Sequence, residues 1–231
     1  TPFRLVTHIG DVGHTLVAGP TGMGKSVLLA TLAMQFRRYR GSRIFAFDMG
    51  RSIRAAILGM GGEHYDLGAD DEIAFQPLAR IDREGYRTWA SEWVEGRLLH
   101  EGAAVGPDEK AAIWSALGSL ASAPVEQRTL TGLTALLQSN TLRQALAPYV
   151  LGGAHGRLLD ADHDRLGTSD VQAFEMEELM HSKAAVLAVL RYLFARFEER
   201  LDGAPTLLIL DEAWLFLDDP VFAARIRQWL K

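Results

Sequence analysis

The chain has 231 residues, no cysteine and a formal net charge of −5. The absence of cysteine excludes a disulfide scaffold and a thiolate metal site, and the acidic balance argues against strong nonspecific DNA binding through bulk charge. The length suits one large domain or a domain with a subdomain, and no nonpolar run approaches the roughly 20 residues that a membrane-spanning helix needs.

The first predicted elements enclose a glycine-rich loop. The nonpolar run at 14–18 (HTLVA) predicts a strand, and the run at 27–36 (VLLATLAMQF) predicts a buried helix. Between them, GPTGMGKS at 19–26 fits the phosphate-binding pattern G-x-x-x-x-G-K-S/T (Walker A) at every fixed position. Backbone N–H groups and the positive end of the helix dipole make such a loop an anion site. We favour this interpretation over a chance turn because the motif and its flanking elements agree.

This loop supplies the predicted phosphate ligands and one metal ligand. Lys25 is expected to reach the β- and γ-phosphates of a nucleotide as a point charge, and we count it as catalytic. The hydroxyl of Ser26 is expected to coordinate Mg²⁺. Met23 stands where a smaller residue is commoner, but its backbone N–H rather than its side chain would face phosphate. The predicted nucleotide-binding residues are Gly19, Pro20, Thr21, Gly22, Met23, Gly24, Lys25, Ser26 and Val27.

A second strand is predicted at 44–47 (IFAF), ending in Asp48. Strand, helix and strand in close succession imply a parallel unit with a right-handed crossover. The next helix is expected over 52–60. Asp48, Arg51 and Ser52 would lie near the phosphate site, where they could contact the γ-phosphate, the attacking water or a neighbouring subunit. Alternatively, Asp48 caps the next helix and Arg51 is solvated, and the sequence leaves both interpretations open.

Helical periodicity dominates the middle of the chain. After a short edge strand expected at 65–67, helices are predicted over 86–99, 108–121, 131–137 and 141–150. We interpret residues 75–169 as a largely helical insertion subdomain, with 1–74 and 170–231 forming the nucleotide-binding core.

Two elements are predicted between this insertion and the last strand. Residues 171–176 (VQAFEM) predict a strand, and residues 180–201 predict a long amphipathic helix.

On the helices of the insertion, Trp89, Trp93 and Trp114 are expected to be core residues rather than a platform for a ligand.

The nonpolar run at 206–210 (TLLIL) predicts a central parallel strand buried on both faces. It leads into Asp211 and Glu212, the second signature (Walker B) of phosphate-loop NTPases, at the sheet edge where ligands bind. Asp211 is expected to hold Mg²⁺ through a coordinated water, and Glu212 is the candidate general base for the attacking water. The alternative is an ordinary helix N-cap with an acid in the first turn, but the loop upstream favours hydrolysis. The predicted fold is α/β, with a mostly parallel sheet flanked by helices.

Four stretches resemble the TrbE/CagE-type ATPases of type IV secretion and conjugation, and the resemblance covers nearly the whole chain. Many families share the phosphate loop. The GDVGHT segment before the loop, the FDMGRS segment and the DEAW segment are what make the resemblance specific to this family. The stretches are FRLVTHIGDVGHTLVAGPTGMGKSVLLA, FAFDMGRSIRAAILGMGG, FEMEELM and LLILDEAWLFLDDPVFAARIRQWLK.

The resemblance implies a RecA-like motor domain that uses ATP and Mg²⁺, and the choice of ATP over GTP rests on it alone. It also implies an oligomer, often a hexamer, at the cytoplasmic face of the inner membrane, where the family energises pilus assembly and substrate export with other secretion subunits. Family members carry an N-terminal domain and further core strands, so we expect this chain to be a fragment. An arginine supplied across a subunit interface is expected, and Arg225 and Arg227 are its candidate sources.

Two other functions are kept as alternatives. The first is a DNA-translocating ATPase of the FtsK/HerA or coupling-protein type, against which the acidic balance argues mildly. The second is a nucleotide-gated structural subunit, in which ATP stabilises an interface and turnover is incidental.

Overall fold

The computed structural model describes residues 5–7, 13–69, 73–212, 223–224 and 226–227. These residues divide into two compact units. The first unit contains the described residues within 1–64, 169–175 and 203–231, and the second contains those within 65–168 and 176–202.

One four-stranded sheet lies in the described part of the chain, and its strands are β1 (Arg43–Asp48), β2 (Glu63–Asp66), β3 (Val171–Glu175) and β4 (Thr206–Leu210). The strand order is β2-β3-β1-β4. β1 runs parallel to both β3 and β4, with Asp48 opposite Glu175 and Phe47 opposite Leu210. Parallel pairing brings the carboxyl ends of these three strands to one edge, so the residues that follow them are neighbours.

Two helices of the first unit, α1 (Lys25–Phe36) and α2 (Arg54–Gly59), share a nonpolar core with the sheet. This core covers one face of β1 and β3, and both strands are buried along almost their whole length. Its buried members are Ala33, Ile44, Ala46, Ile53, Ile57, Val171, Ala173 and Ile209.

The segments around the predicted loop differ from expectation in three ways. Residues 14–18 belong to no strand, and Leu16 is 86% exposed. β4 pairs with β1 on one side only among the described strands, and most of it is half-buried rather than buried on both faces. α1 buries Ala33 alone. In residues 14–18 and in β4, nonpolar side chains favour a strand but do not supply a neighbouring strand to pair with. These side chains therefore keep part of their surface in water.

The second unit is largely helical. Its predicted helices form within a few residues of the expected bounds, except that the helix predicted at 141–150 ends early. Pro148 lacks an N–H and its ring opposes an α-helical turn, so α-helix gives way to a 3₁₀ turn at Ala147–Tyr149. The helices are α3 (Glu84–His100), α4 (Pro107–Leu120), α5 (Leu130–Leu136), α6 (Asn140–Leu146), α7 (Gly156–Leu159) and α8 (Lys183–Glu198).

Residues 176–202, including α8, cluster with the second unit rather than with the core to which the sequence assigned them. α8 packs against α3, where the indole Nε1–H of buried Trp93 donates to the carbonyl oxygen of Ala188 at 3.0 Å. Trp114 is not a core residue: it is 38% exposed and lies under the guanidinium of Arg87 at 5.4 Å. Among the described helices, none combines the length and the nonpolar character that crossing a membrane requires.

Candidate functional site

The glycine-rich loop leads directly into α1, which begins at Lys25. Gly22 and Gly24 have φ angles of 81° and 83°, a left-handed conformation that glycine adopts without steric cost. Gly24 is also the N-cap residue, so no side chain caps the first N–H groups of α1. The ammonium of Lys25 donates to the carbonyl oxygens of Gly19 at 2.8 Å and Pro20 at 3.1 Å. The lysine therefore folds back over its own loop.

The rest of the loop faces solvent. Residues 19–24 are exposed, Lys25 and Ser26 are half-buried, and Met23 and Val27 are 74% and 70% exposed. A Cβ on Gly19, Gly22 or Gly24 would meet no atom within 4 Å, so conformation rather than crowding explains glycine here. The loop thus presents its backbone to solvent at the start of a 12-residue helix.

A small pocket at the carboxyl edge of the sheet brings together Ser26 and Asp211, the two predicted metal ligands. Ser26 comes from the first turn of α1, and Asp211 follows β4. Their hydroxyl and carboxylate oxygens are ligands of the type that Mg²⁺ prefers. The pocket is lined by Ser26, Leu29, Phe47, Asp48, Ser52, Ile53, Ile209 and Asp211.

Asp211 is fixed to the sheet by its backbone N–H, which donates to the carbonyl oxygen of Phe47 at 2.9 Å. Burial raises the pKa of Asp211 above its ordinary value, and the neighbouring charge of Asp48 raises it further. A hydrogen bond from the backbone N–H of Glu212 and the charge of Lys25 act in the opposite direction. The carboxylate of Asp211 is thus in electrostatic contact with both the predicted loop and the end of β1.

Glu212, the candidate general base, is exposed and does not line the pocket. Its φ of 53° places it in the left-handed region, which is uncommon outside glycine. Whether Asp211 and Glu212 cap a helix depends on residues 213–222, which lie outside the described residues. Of the two arginines proposed to act across a subunit interface, Arg225 lies outside the described residues and Arg227 is exposed.

Asp48 bonds to the two residues just before α2, and it does not cap the helix itself. Its carboxylate accepts from the hydroxyl of Ser52 at 2.6 Å and from the backbone N–H of Ile53, just before α2, at 2.9 Å. Burial raises the pKa of Asp48, these hydrogen bonds lower it, and the charge of Glu175 raises it further. Arg51 and Ser52 are exposed, and Arg51 has a left-handed φ of 56°.

Glu175 is a buried site residue that the sequence did not reveal. Its Oε1 accepts from the backbone N–H of Gly50 at 3.1 Å, and its Oε2 accepts from that of Arg51. Its only signal was an acid near the end of a strand-like run. Asp48, His64 and Glu175 offer ligand atoms within 4.8 Å of one another, but both carboxylates already accept hydrogen bonds from the protein.

The chain matches no family model. It is 46% identical over 237 residues to a probable conjugal transfer protein TrbE of Sinorhizobium fredii, covering 100% of this chain and 36% of that protein. It is also 46% identical over 239 residues to the conjugal transfer protein TrbE of Rhizobium radiobacter, covering 100% and 29%. The type IV secretion system protein virB4 of Bartonella quintana is 28% identical over 237 residues, covering 100% and 30%. The chain spans about a third of the length of these relatives.

A solved structure, that of VirB4 of Thermoanaerobacter pseudethanolicus, resembles the fold. The match has a TM-score of 0.63 at 20% identity and covers 84% of this chain and 59% of the other. Together with the parallel sheet, it confirms the predicted α/β fold of the phosphate-loop NTPase type. The resemblance noted from the sequence is likewise confirmed by the TrbE and VirB4 relatives.

Proposed function

This chain is homologous along its length to a portion of the TrbE conjugal transfer and VirB4 type IV secretion proteins, and from that premise we propose that it is the ATP-hydrolysing portion of a motor subunit. The motor would energise conjugative transfer or type IV secretion. The observation that carries the proposal is that Ser26, at the end of the glycine-rich loop, and Asp211, just after a parallel strand, line the same small pocket. A phosphate-binding helix start beside a strand-end carboxylate is the arrangement that nucleotide hydrolysis needs.

The loop is proposed to bind the phosphates. The N–H groups at the start of α1 have no side-chain cap, so an anion can satisfy them. Lys25 would exchange its bonds to Gly19 and Pro20 for bonds to the β- and γ-phosphate oxygens, which carry formal charge and are stronger acceptors.

Ser26 and Asp211 are proposed to hold Mg²⁺. Bound there, the ion would neutralise charge on the β- and γ-phosphates. Asp211 must be ionised to act as a ligand, and Lys25 favours that form while Asp48 opposes it.

Glu212 is proposed to orient the attacking water and to accept its proton. Its carboxylate is exposed and follows Asp211 directly, so it is accessible to a water at the sheet edge. Geometry relative to a nucleotide would be set on binding, as is common for catalytic bases.

Assembly and location are proposed on the relatives' names. Proteins named for type IV secretion and conjugal transfer support other secretion subunits as partners. We propose a homo-oligomer, a hexamer in size, peripheral at the cytoplasmic face of the inner membrane. We do not assign DNA as a direct ligand of the pocket.

The test is binding of a fluorescent ATP analogue and hydrolysis of ATP by Lys25→Ala and Glu212→Gln. We expect Lys25→Ala to weaken binding and abolish turnover, and Glu212→Gln to bind normally but lose turnover. Lys183→Ala is the matched control, because Lys183, like Lys25, is the first residue of a helix. Unchanged turnover in Glu212→Gln would overturn its assigned role. Strong stimulation of hydrolysis by DNA would favour a DNA translocase instead.

A further inference from the structure

Glu175 holds the turn between β1 and α2. It is the last residue of β3, fully buried, and each of its carboxylate oxygens accepts a backbone N–H of that turn, from Gly50 and from Arg51. The parallel register places Glu175 opposite Asp48, so its side chain reaches just past the end of the neighbouring strand. Bonds from amides to a carboxylate are charge-assisted and stronger than bonds between neutral groups.

The turn that Glu175 holds has an unfavourable backbone conformation. Gly50 and Arg51 have consecutive positive φ angles of 73° and 56°. Glycine adopts this region freely, whereas the Cβ of Arg51 opposes it. Among the described residues, the other non-glycine with positive φ is Glu212, which follows β4 at the same sheet edge. Such conformations persist only where surrounding contacts enforce them, and they concentrate at functional sites.

The far end of the turn forms one wall of the pocket. Asp48 accepts from the hydroxyl of Ser52 and from the backbone N–H of Ile53, and all three residues line the pocket with Ser26 and Asp211. The position of this wall relative to the predicted metal ligands therefore depends on how the turn is held.

We propose that Glu175 is a positioning residue for the magnesium–nucleotide site. It holds the β1–α2 turn in its left-handed conformation, and so keeps Asp48 and Ser52 in place beside Ser26 and Asp211. This inference rests on the function proposed for that pocket. It assigns Glu175 no contact with nucleotide or metal.

The first test is Glu175→Gln in the full chain, with binding of a fluorescent ATP analogue measured with Mg²⁺ and with EDTA. The amide still accepts one N–H but presents its own N–H groups to the other donor. We expect Mg²⁺-dependent affinity to fall about 10–100-fold, the range for groups that support a metal site, while binding in EDTA is unchanged. Glu63→Gln is the matched control: it removes the same charge from the sheet, where Glu63 accepts from Gln172 at 3.0 Å.

A second variant strains the same turn without touching Glu175. Gly50→Ala adds a Cβ that meets no atom within 4 Å, so it changes only the preference for positive φ at an exposed position. We expect the same selective loss of Mg²⁺-dependent binding. Gly41→Ala, with φ of 70° and equally open surroundings, imposes the same strain away from the turn and should bind normally.

A double variant distinguishes loss of the turn conformation from general destabilisation of the protein. Arg51→Gly removes the Cβ that disfavours positive φ at this position. The double variant Glu175→Gln/Arg51→Gly should therefore bind with nearly the affinity of Arg51→Gly alone. Equal losses with and without Mg²⁺, not recovered in the double variant, would overturn the inference in favour of a purely structural role. Normal binding by Glu175→Gln and Gly50→Ala would overturn it and leave the pocket's function standing. An unsubstituted chain that binds no ATP would overturn both.

Discussion

Asp48 and Asp211 are neighbours, because each comes directly after one of the paired residues Phe47 and Leu210 of two parallel strands. After burial, the charge of Asp48 is the largest influence that raises the pKa of Asp211. Asp48 ends β1, and Asp211 comes directly after β4. The predicted metal ligand Asp211 is thus close to a second buried carboxylate, that of Asp48, which accepts the backbone N–H of Ile53 just before α2. Ionisation of Asp211 therefore depends on the charge of Asp48.

This coupling predicts a pH effect of Asp48→Asn. The charge of Asp48 raises the pKa of Asp211, so its removal lowers that pKa and keeps Asp211 ionised at more acidic pH. Mg²⁺-dependent nucleotide binding should therefore persist to lower pH in Asp48→Asn than in the unsubstituted chain. The measurement is a pH profile of affinity with Mg²⁺. Ser52→Ala keeps both charges and should not extend binding to lower pH, and identical profiles for Asp48→Asn and the unsubstituted chain would contradict the coupling.

Alanine substitutions at two glycines near the ends of α2 and β2 should change the unfolding free energy in opposite directions. A Cβ on Gly62 would lie 2.6 Å from the backbone oxygen of Val171, so Gly62→Ala should lower the unfolding free energy by about 1–3 kcal/mol. A Cβ on Gly59, in α2, meets nothing within 4 Å, so Gly59→Ala should raise it by up to about 1 kcal/mol. Urea unfolding measures both, and destabilisation by both variants would refute the steric argument.

Phenylalanine substitutions at Trp93 and Trp114 should lower the unfolding free energy by unequal amounts. Trp93 is fully buried and donates to Ala188, so Trp93→Phe removes this hydrogen bond and part of a buried ring, and should cost about 1–3 kcal/mol. Trp114 is 38% exposed, and Trp114→Phe keeps an aromatic face for Arg87, so the change should stay within about 0.5 kcal/mol. Far-ultraviolet circular dichroism during urea unfolding distinguishes them, and equal costs would show that the indole N–H bond does not stabilise α8.

Tyr149 predicts loss of stability in alkaline solution. Burial, and then its hydrogen bond to Glu101, raise the pKa of its hydroxyl far above the ordinary value. Above about pH 10 the unfolded chain loses this proton while the folded chain retains it, so stability falls as pH rises. Tyr149→Phe should show a shallower alkaline decline, at the cost of a hydrogen bond worth about 1 kcal/mol at neutral pH. Tyr39→Phe, at a 43% exposed site, is the control and should keep the full decline.

The proposed motor function predicts slow turnover by the isolated chain. An arginine supplied across a subunit interface contributes about 10³–10⁵ in rate, so a monomer should bind ATP yet hydrolyse it slowly. Specific activity should rise with protein concentration in parallel with oligomer formation measured by light scattering. Rapid hydrolysis by a demonstrated monomer would contradict this.

Local sequence patterns were enough to predict where most of the helices and two of the strands form. The helices of the second unit follow nonpolar periodicity, and β1 and β3 follow short nonpolar runs, so their existence was predictable within a few residues. The helix predicted over 141–150 is shorter than expected because Pro148 cannot continue an α-helix. β4 forms at the predicted residues 206–210 but is mostly half-buried, and residues 14–18 form no strand, because nonpolar character does not specify the neighbouring strand.

The arrangement of the site depended on register, which the sequence does not display. Glu175 and Gly50 are 125 residues apart in sequence, yet the pairing of β1 with β3 makes them hydrogen-bonded neighbours. The pairing of β1 with β4 likewise brings Asp48 near Asp211. The motif residues were predictable because chemistry fixes their spacing, whereas the residue that holds the turn is identified by geometry alone.

In the proposed function, the two hydrogen bonds from Lys25 to the carbonyl oxygens of Gly19 and Pro20 would compete with nucleotide binding. Each phosphate contact that Lys25 would gain replaces a carbonyl contact that it would give up, so the affinity lost in Lys25→Ala would measure the difference between the free and bound states. That variant also deprives the free loop of a cross-link between its first residues and the start of α1. Loop mobility in the absence of nucleotide should therefore increase in Lys25→Ala, independently of any effect on phosphate binding.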